Sequence, residues 1–460
     1  MYAVIKQQLK YSKYKSIYPL LKELTHISKN LYNQALYLVR QEFFNNSKYK
    51  NYYDINKELH NSDNYLLLQS GCAQQTLQMV DWNFKGFFAA NAKNIKANIP
   101  KYLNKDGYFK ICDSEGNKHV NKNLYWTIPL SKKLLTKYNW TIRDKNRPRI
   151  KMPNILKDKK IHQIWIIPKH KGKYFEIQYV YENNTLNLVN KTKNQTDQEK
   201  YLSIDLGITN LCTCVDSDLK SFIIDGKQVK AWNQWYNKRI SILQEIASKD
   251  KKAPAYTKQM YYITKKRNNR IYDYIHKACK YIVNYCLQNK INTIILGYNQ
   301  GWKQNINLGN KTNQQFTHIP FYRLKENLSY LCKLNQIELM IQEESYTSKA
   351  SFINKDFIPT YGVNDKLANF TGTRIHRGLY QSINFLRKFS INADLNGALN
   401  ILRKYLNIKS NVVVEYNLYK KLYEALYIRG VLITPKRIRL LPVKVNKSKK
   451  RKKFIRFNKH

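Results

Sequence analysis

The stretch YLSIDLGITNLCTCVD, residues 201–216, decides the fold. Tyr201 to Leu206 is a mostly apolar strand with Asp205 next to its end and Gly207 just beyond. Asn210 to Val215 and Ser221 to Ile224 read as two further strands separated by turn residues. Two long helical segments follow. The second carries Ile271, Ile275, Ala278, Ile282 and Cys286 along one stripe, which suits packing on a sheet. Ile291 to Leu296 is a buried strand. Pro320 opens another helix with Phe321, Leu324, Leu328 and Leu331 on one face, and Pro is favourable at a first helical position. Ile337 to Gln342 is a fifth strand, and a last helix runs from about Asn392 to Leu406.

Three consecutive strands, a helix, then alternating strands and helices predict an RNase H-like α/β fold with helices on both faces of a mixed sheet. Upstream, Tyr2 to Leu9 is strand-like. Leu20, Leu24, Ile27, Leu31, Ala35 and Leu38 recur at helical spacing, and a second helix after Ser70 presents Leu77, Val80, Phe84 and Phe87. Residues 98–160 read as loops and short strands. IHQIWIIP, HKGK and YFEIQYVYE form a hairpin over Ile161 to Glu182, and the polar residues 183–198 read as a linker.

The composition narrows the function classes. No apolar run of about 18 residues exists, so a membrane span is not expected. The opening MYAVIKQQLK lacks the apolar core of a secretory signal. Seven scattered cysteines without a Cys-x-x-Cys pair support neither a disulfide framework nor a four-thiolate zinc site, and fit a reducing compartment. The 460 residues include 81 Lys and Arg against 31 Asp and Glu, a net charge of +50. Tyr, Phe and Trp are interleaved with the basic residues, as in grooves that track a nucleic-acid backbone. A solvated Lys-rich surface is the plain alternative.

With so few acids, those at strand ends are weighed one by one. Asp205 ends the first strand, Glu343 and Glu344 end the fifth, and Asp394 lies in the first turn of the last helix. In an RNase H-like sheet three such carboxylates are expected to converge and hold two divalent ions that act on a phosphodiester. Mg²⁺ suits an all-oxygen set. An Asp in a first helical turn is also a common dipole partner. Strand alternation turns only one of the two glutamates inward.

These same motifs carry a resemblance. YLSIDLGITNLCTCVD resembles the first RuvC motif of the transposon-encoded TnpB nucleases and their eukaryotic and viral relatives, the Fanzor proteins. INADLNGALNIL resembles their third motif, EESYTSKAS the segment that opens their zinc finger, and KKRNNRIYDYIHKACKYIV the helix before the fourth strand. The similarity covers roughly residues 199–406, and the Lys, Asn and Tyr bias favours the Fanzor branch. The resemblance implies a RuvC nuclease domain over 199–346 and 384–406, with a target-nucleic-acid-binding insert over 347–383. It also implies an N-terminal lobe in which a wedge-like, β-barrel-like domain (1–20 and 96–198) carries an inserted helical recognition segment (21–95). Residues 407–460 form a basic C-terminal tail.

Two departures from the family pattern matter. The family's second motif ends the fourth strand with Glu, where this chain has Gly297 and Tyr298. Part of the family moves that Glu to the residue two before the Tyr of Y-T-S-K, which is Glu344 here. The resemblance thus implies Asp205, Glu344 and Asp394 as catalytic metal ligands, with Glu343 in reserve. Ser351 and Asn354 stand where the first zinc-finger Cys pair belongs, so no zinc is expected, although Lys349, Arg374, His376 and Arg377 can still touch nucleic acid.

The implied activity is RNA-guided, Mg²⁺-dependent DNA cleavage, with a guide RNA from the element's own end, a short target-adjacent motif and one protein per guide. A guided binder that has lost cleavage and an unguided RNA-binding protein are the competing readings. From Lys409 to His460 there are 16 Lys and Arg against two acids. Lys449 to Lys453 fits nuclear import or a basic grip on RNA equally.

Overall fold

A computed structural model describes residues 2–93, 97–183, 199–249, 256–299, 319–364, 366, 368–376, 378–384, 387–428 and 434–440. Nearly all of the 183–198 linker, Arg377 and the basic run Lys449 to Lys453 lie outside the described residues. The chain divides into two compact units, Met1–Lys191 and Thr192–His460.

In the first unit the strands are β1 (Tyr2–Gln8), β2 (Ile111–Asp113), β3 (Tyr125–Thr127), β4 (Arg149–Lys151), β5 (Ile161–Lys169) and β6 (Tyr174–Glu182). Strand alternation buries Ile164 and Ile166 on β5 and Phe175, Ile177 and Tyr179 on β6. The turn between them holds His170, Lys171 and Gly172 at positive φ, which closes the hairpin read from the sequence. The antiparallel sheet runs β1-β6-β5-β2, and β3 forms its ladder with β4, with a single further bridge from Trp126 to Val120. Among the described residues no ladder joins the two sheets, but the Gln7 side chain of β1 donates to the Lys151 carbonyl of β4 at 2.9 Å.

A short turn of helix α1 (Tyr11–Tyr14) leads to α2 (Tyr18–Asn46), α3 (Tyr52–Leu59), α4 (Asp63–Leu67), α5 (Ser70–Ala92) and α6 (Lys132–Lys137). The long pair was legible, with Leu20, Leu24, Ile27, Leu31 and Ala35 of α2 buried alongside Leu77, Val80 and Phe84 of α5. The stripe of α2 ends on Leu36 and Val39 rather than on Leu38. At the base of this core the fully buried Trp126 donates its indole N–H to Asp113 at 2.9 Å. The buried Asp113 also hydrogen-bonds His119 at 2.9 Å and accepts the Glu115 N–H at 3.1 Å.

The second unit contains β7 (Tyr201–Leu206), β8 (Asn210–Asp216), β9 (Ser221–Asp225), α7 (Lys227–Lys249), α8 (Lys258–Gln288), β10 (Thr293–Gly297), α9 (Phe321–Leu334) and β11 (Glu338–Gln342). Then follow β12 (Gly372–His376), β13 (Leu379–Asn384), β14 (Arg387–Asn392), α10 (Ala393–Lys409), α11 (Val412–Tyr423) and β15 (Lys436–Ile438). The main sheet runs β11-β10-β7-β8-β9-β15. β7, β10 and β11 are mutually parallel, and β8 is antiparallel to both its neighbours. That is the mixed α/β sheet expected, with β7 interior.

Period-two alternation assigns the faces. Leu202 and Ile204 of β7 join Ile271, Ile275, Ala278 and Ile282 of α8 and Leu324 and Leu328 of α9 in one core. Each of these Leu and Ile side chains, fully buried, contributes about 1.5–3 kcal/mol. Tyr201 of β7 and Ile295 of β10 join Leu395, Ala398, Leu399 and Leu402 of α10 in the other. Ser203, on that second face, donates its hydroxyl to the Ala398 carbonyl at 2.6 Å. Asp205, two residues on, must face the same helix.

Three details differ from the sequence reading. Pro320 stands just before α9 as its N-cap, not as its first residue. The helix expected to be last is followed by α11. Part of the basic tail forms β15, a sixth strand parallel to β9. β12, β13 and β14 make a small antiparallel sheet of their own. No described helix is long and apolar enough to cross a membrane.

Replacing Asp113 with Ala leaves the Trp126 N–H buried without its acceptor. Leaving such a donor unpaired costs about 1–3 kcal/mol, so urea unfolding monitored by Trp fluorescence is expected to show at least that loss. An unchanged midpoint would mean that another acceptor serves Trp126.

Candidate active site

Asp205 is the penultimate residue of β7 and faces α10. Gly397 lets that helix come close: a Cβ there would lie 3.0 Å from Asp205 Oδ2. Burial, reinforced by the nearby Glu344 and Asp394 charges, pushes the Asp205 carboxyl well above the usual carboxylate range, while Arg374 pulls the other way.

Glu344 follows the end of β11 and turns its carboxylate toward the end of β10. The position that a side chain at Gly297 would occupy is already taken. A Cβ added there would lie 2.5 Å from Ile401 Cδ1 and 2.8 Å from Glu344 Oε2. The fourth strand thus carries no carboxylate of its own, and the Glu344 carboxylate fills the space beside it. Burial, and then the Glu343 charge, raise Glu344 to about 7. Its Oε2 is buried without a hydrogen-bond partner. The Asn299 side chain accepts the Glu344 N–H at 3.1 Å, and Thr347 donates its hydroxyl to the Glu344 carbonyl at 2.8 Å, so the backbone carrying this carboxylate is pinned.

Glu343 has a different role. It pairs with Lys404 of α10 and accepts the Ser345 N–H at 2.7 Å. Burial works to raise its carboxyl, but these donors outweigh it and hold Glu343 below the usual range. Alternation at the strand end thus separates a paired glutamate from an unpaired one.

Asp394 sits in the first turn of α10, where Asn392 is the N-cap and accepts the N–H groups of Asp394 and Leu395, each at 3.1 Å. With the cap supplied by Asn392, the Asp394 carboxylate is available for other partners. Asn210 donates its amide to Oδ2 at 2.5 Å, and Arg374 of β12 donates to Oδ1 at 2.9 Å. The sequence marked Arg374 as a nucleic-acid contact. In the structure it reaches one of the three carboxylates.

The insert that carries Arg374 is tied to the same helix. Asn396 accepts the Phe352 N–H and donates to the Ala350 carbonyl. Asn400 donates to the carbonyls of Thr347 and Ala350, and Arg403 to that of Asp356. At the positions of the expected Cys pair, the Ser351 N–H donates to Asp356 at 2.7 Å and the Asn354 amide donates to Thr371 at 2.7 Å. Asp356 also accepts the Thr371 N–H at 2.9 Å and its hydroxyl at 2.6 Å. Hydrogen bonds therefore cross-link this turn to the start of β12.

The structure thus brings Asp205, Glu344 and Asp394 into one electrostatic neighbourhood. Among the described residues, no three His, Cys, Asp or Glu side chains are grouped as they would be around one ion. Like charges repel without a cation between them. The donor set still fits a hard divalent cation: it is all carboxylate oxygen, one buried oxygen lacks a partner, and the mutual repulsion needs positive charge. Beside it, a pocket of about 490 Å³ is lined by Asn210, Lys227, Arg374, Asp394 and Arg437. Arg437 and Asn210 were missed as site residues, since one lies in a tail read only for its charge and the other reads as a strand start.

Residues 178–303 match the OrfB_IS605 family, described as "Probable transposase". The match spans just over a quarter of the chain and takes in Asp205 but neither Glu344 nor Asp394. No curated protein matches the sequence. Among solved structures, the chain is similar to the protein of a Cas12f1–sgRNA–target DNA complex, with 14% identity and a TM-score of 0.49 over 84% of this chain and 82% of that one. It is also similar to the protein of a CRISPR–Cas12f ternary complex, with 18% identity and a TM-score of 0.31 over 84% and 81%. A third is the AacC2c1–sgRNA binary complex, with 9% identity and a TM-score of 0.33 over 79% and 62%.

The two glutamates separate by stability. In chelator, Glu344→Gln removes an unpaired buried charge and is expected to raise the unfolding free energy by about 1–3 kcal/mol. Glu343→Gln removes the charge paired with Lys404, leaving it only the Pro359 carbonyl, and is expected to lower it by about 1 kcal/mol or more. Denaturant melts that reverse this order would exchange the two roles.

Proposed function

We propose that this chain is an RNA-guided DNA endonuclease of the TnpB and Fanzor type, with one RuvC site built from Asp205, Glu344 and Asp394. The observation that carries the reading is the Glu344 carboxylate lying in the space beside Gly297, next to Asp205 on the central strand. A carboxylate brought there from β11 does the work that a fourth-strand glutamate would do. The OrfB_IS605 match, the mixed sheet and the +50 charge support the same reading.

In this reading the three carboxylates hold Mg²⁺, which when bound supplies an activated water and neutralises the leaving oxygen of a phosphodiester. The chain's own groups do the rest. Asn210 and Arg374 fix the two oxygens of Asp394. Lys227 and Arg374 line the adjoining pocket with positive charge for a strand's phosphates. Tyrosines beside cations provide stacking platforms, with Arg323 4.1 Å from the ring centroid of the half-buried Tyr272 and Lys325 beside the half-buried Tyr298 and the exposed Tyr322. Guide pairing would read the target while the protein reads duplex shape and a short flanking motif. One protein per guide RNA and nuclear import through Lys449 to Lys453 belong to the same proposal.

A second reading, a guided binder without cleavage, is favoured by one observation: Arg374 already pairs with Asp394. Plasmid cleavage by the chain co-expressed with its downstream flank separates the two. Mg²⁺-dependent cutting that chelator stops, lost in Asp205→Ala and Asp394→Ala by about 100-fold or more with target binding retained, is the expected result. Binding without cutting by the unaltered protein would decide for the second reading.

A further inference from the structure

The C-terminal tail returns to the site. β15 pairs with β9 in parallel, Arg437 opposite Ile223, and thereby runs along the outer side of the β8–β9 hairpin. From there the Arg437 guanidinium donates to Asn210 Oδ1 at 3.2 Å and to Asp225 Oδ1 at 3.1 Å. Asn210 opens β8 and Asp225 closes β9, and the two are direct cross-strand partners. The other end of the Asn210 amide donates to Asp394 Oδ2.

We propose that Arg437 is a positioning residue for Asp394, acting through the Asn210 side chain. An amide has one accepting and one donating end. With Arg437 on the oxygen, the nitrogen is the end that faces Asp394. Turning the amide over would set its oxygen against a carboxylate and its NH₂ against a guanidinium, two repulsive contacts at once. Asp225 supplies the counter-charge that keeps Arg437 at the hairpin end, so a neutral link, not a cation, reaches Asp394 from this side. Arg374 holds the other oxygen, and the plane of the Asp394 carboxylate is fixed between them.

The backbone needs no such help. The turn from Gly207 to Asn210 is closed by the Gly226 N–H donating to the Thr209 carbonyl at 2.8 Å. A Cβ on Gly207 would lie 2.6 Å from the Asn210 carbonyl oxygen, and one on Gly226 would lie 2.5 Å from the Ile208 carbonyl oxygen. Asn210 therefore arrives in place by its main chain. What Arg437 adds is the orientation of one amide.

This inference rests on the nuclease reading for its function, and its test is built to fail separately. Asn210→Ala, Arg437→Met, the double variant and Arg437→Lys are compared with the unaltered full chain. On the guide complex, cleavage rate at saturation and target affinity are measured. On the RNA-free chain, Mn²⁺ affinity is measured by electron paramagnetic resonance. Each single loss is expected to lower the cleavage rate and the Mn²⁺ affinity by about tenfold, the scale of partners that orient a ligand, with target affinity within about twofold. The double variant is expected to be no worse than Asn210→Ala, and Arg437→Lys to recover most of the loss, since one nitrogen makes both contacts. If the unaltered protein cuts nothing but the Mn²⁺ pattern holds, the nuclease reading falls and the relay stands. Additive losses, an undisturbed Arg437→Met, or no Mn²⁺ binding by the unaltered chain would overturn the relay.

Discussion

Carboxylates crowded at the end of one buried strand repel each other, and the second unit is arranged around that repulsion. β7 delivers Asp205 to a face closed by α10, where water is scarce and a lone charge is costly. Glu344 arrives from β11 into the same space with one oxygen lacking a partner. Asp394 has its charge answered directly, by Arg374 and Asn210. The residues that border the site follow from this. Gly297 and Gly397 are where a side chain would strike a carboxylate, and Lys404 removes Glu343 from the group by pairing with it.

Much of this was readable in the amino acids because the informative signals are periodic. The mostly apolar run from Tyr201 to Leu206 and the stripe from Ile271 to Cys286 mark a buried strand and a one-sided helix, so β7 and α8 emerge from local pattern alone. Asp205 and Asp394 stand out because acids are scarce in this chain. Glu344 was reachable only through resemblance, because strand alternation separates it from Glu343 without saying which faces inward.

What escaped has a common physical cause. β15 is three residues long, and its apolar content is a single Ile438 between basic neighbours, so charge hides the strand. The small sheet of β12 to β14 carries several exposed residues and has no clean alternation. Asn210, Asn396 and Asn400 act through hydrogen bonds to groups far away in sequence, which no local pattern records. The buried Asp113 with Trp126 is of the same kind: two residues 13 apart in a stretch without periodicity.

The small sheet carries a mechanical implication. β14 ends at Asn392 and α10 begins at Ala393, with no connecting residue between sheet and helix. Asn392 is thus at once the last rung of a β-ladder and the cap that sets the pitch of the first helical turn. A force that bends the sheet is delivered as torsion at Asn392, two residues from the Asp394 carboxylate, with no slack to absorb it. The polar row of Asn396, Asn400, Arg403 and Lys404 holds the other end of the same insert, at Thr347, Ala350, Phe352, Asp356 and Pro359, so both ends of the insert are fastened to the one helix that carries the acid.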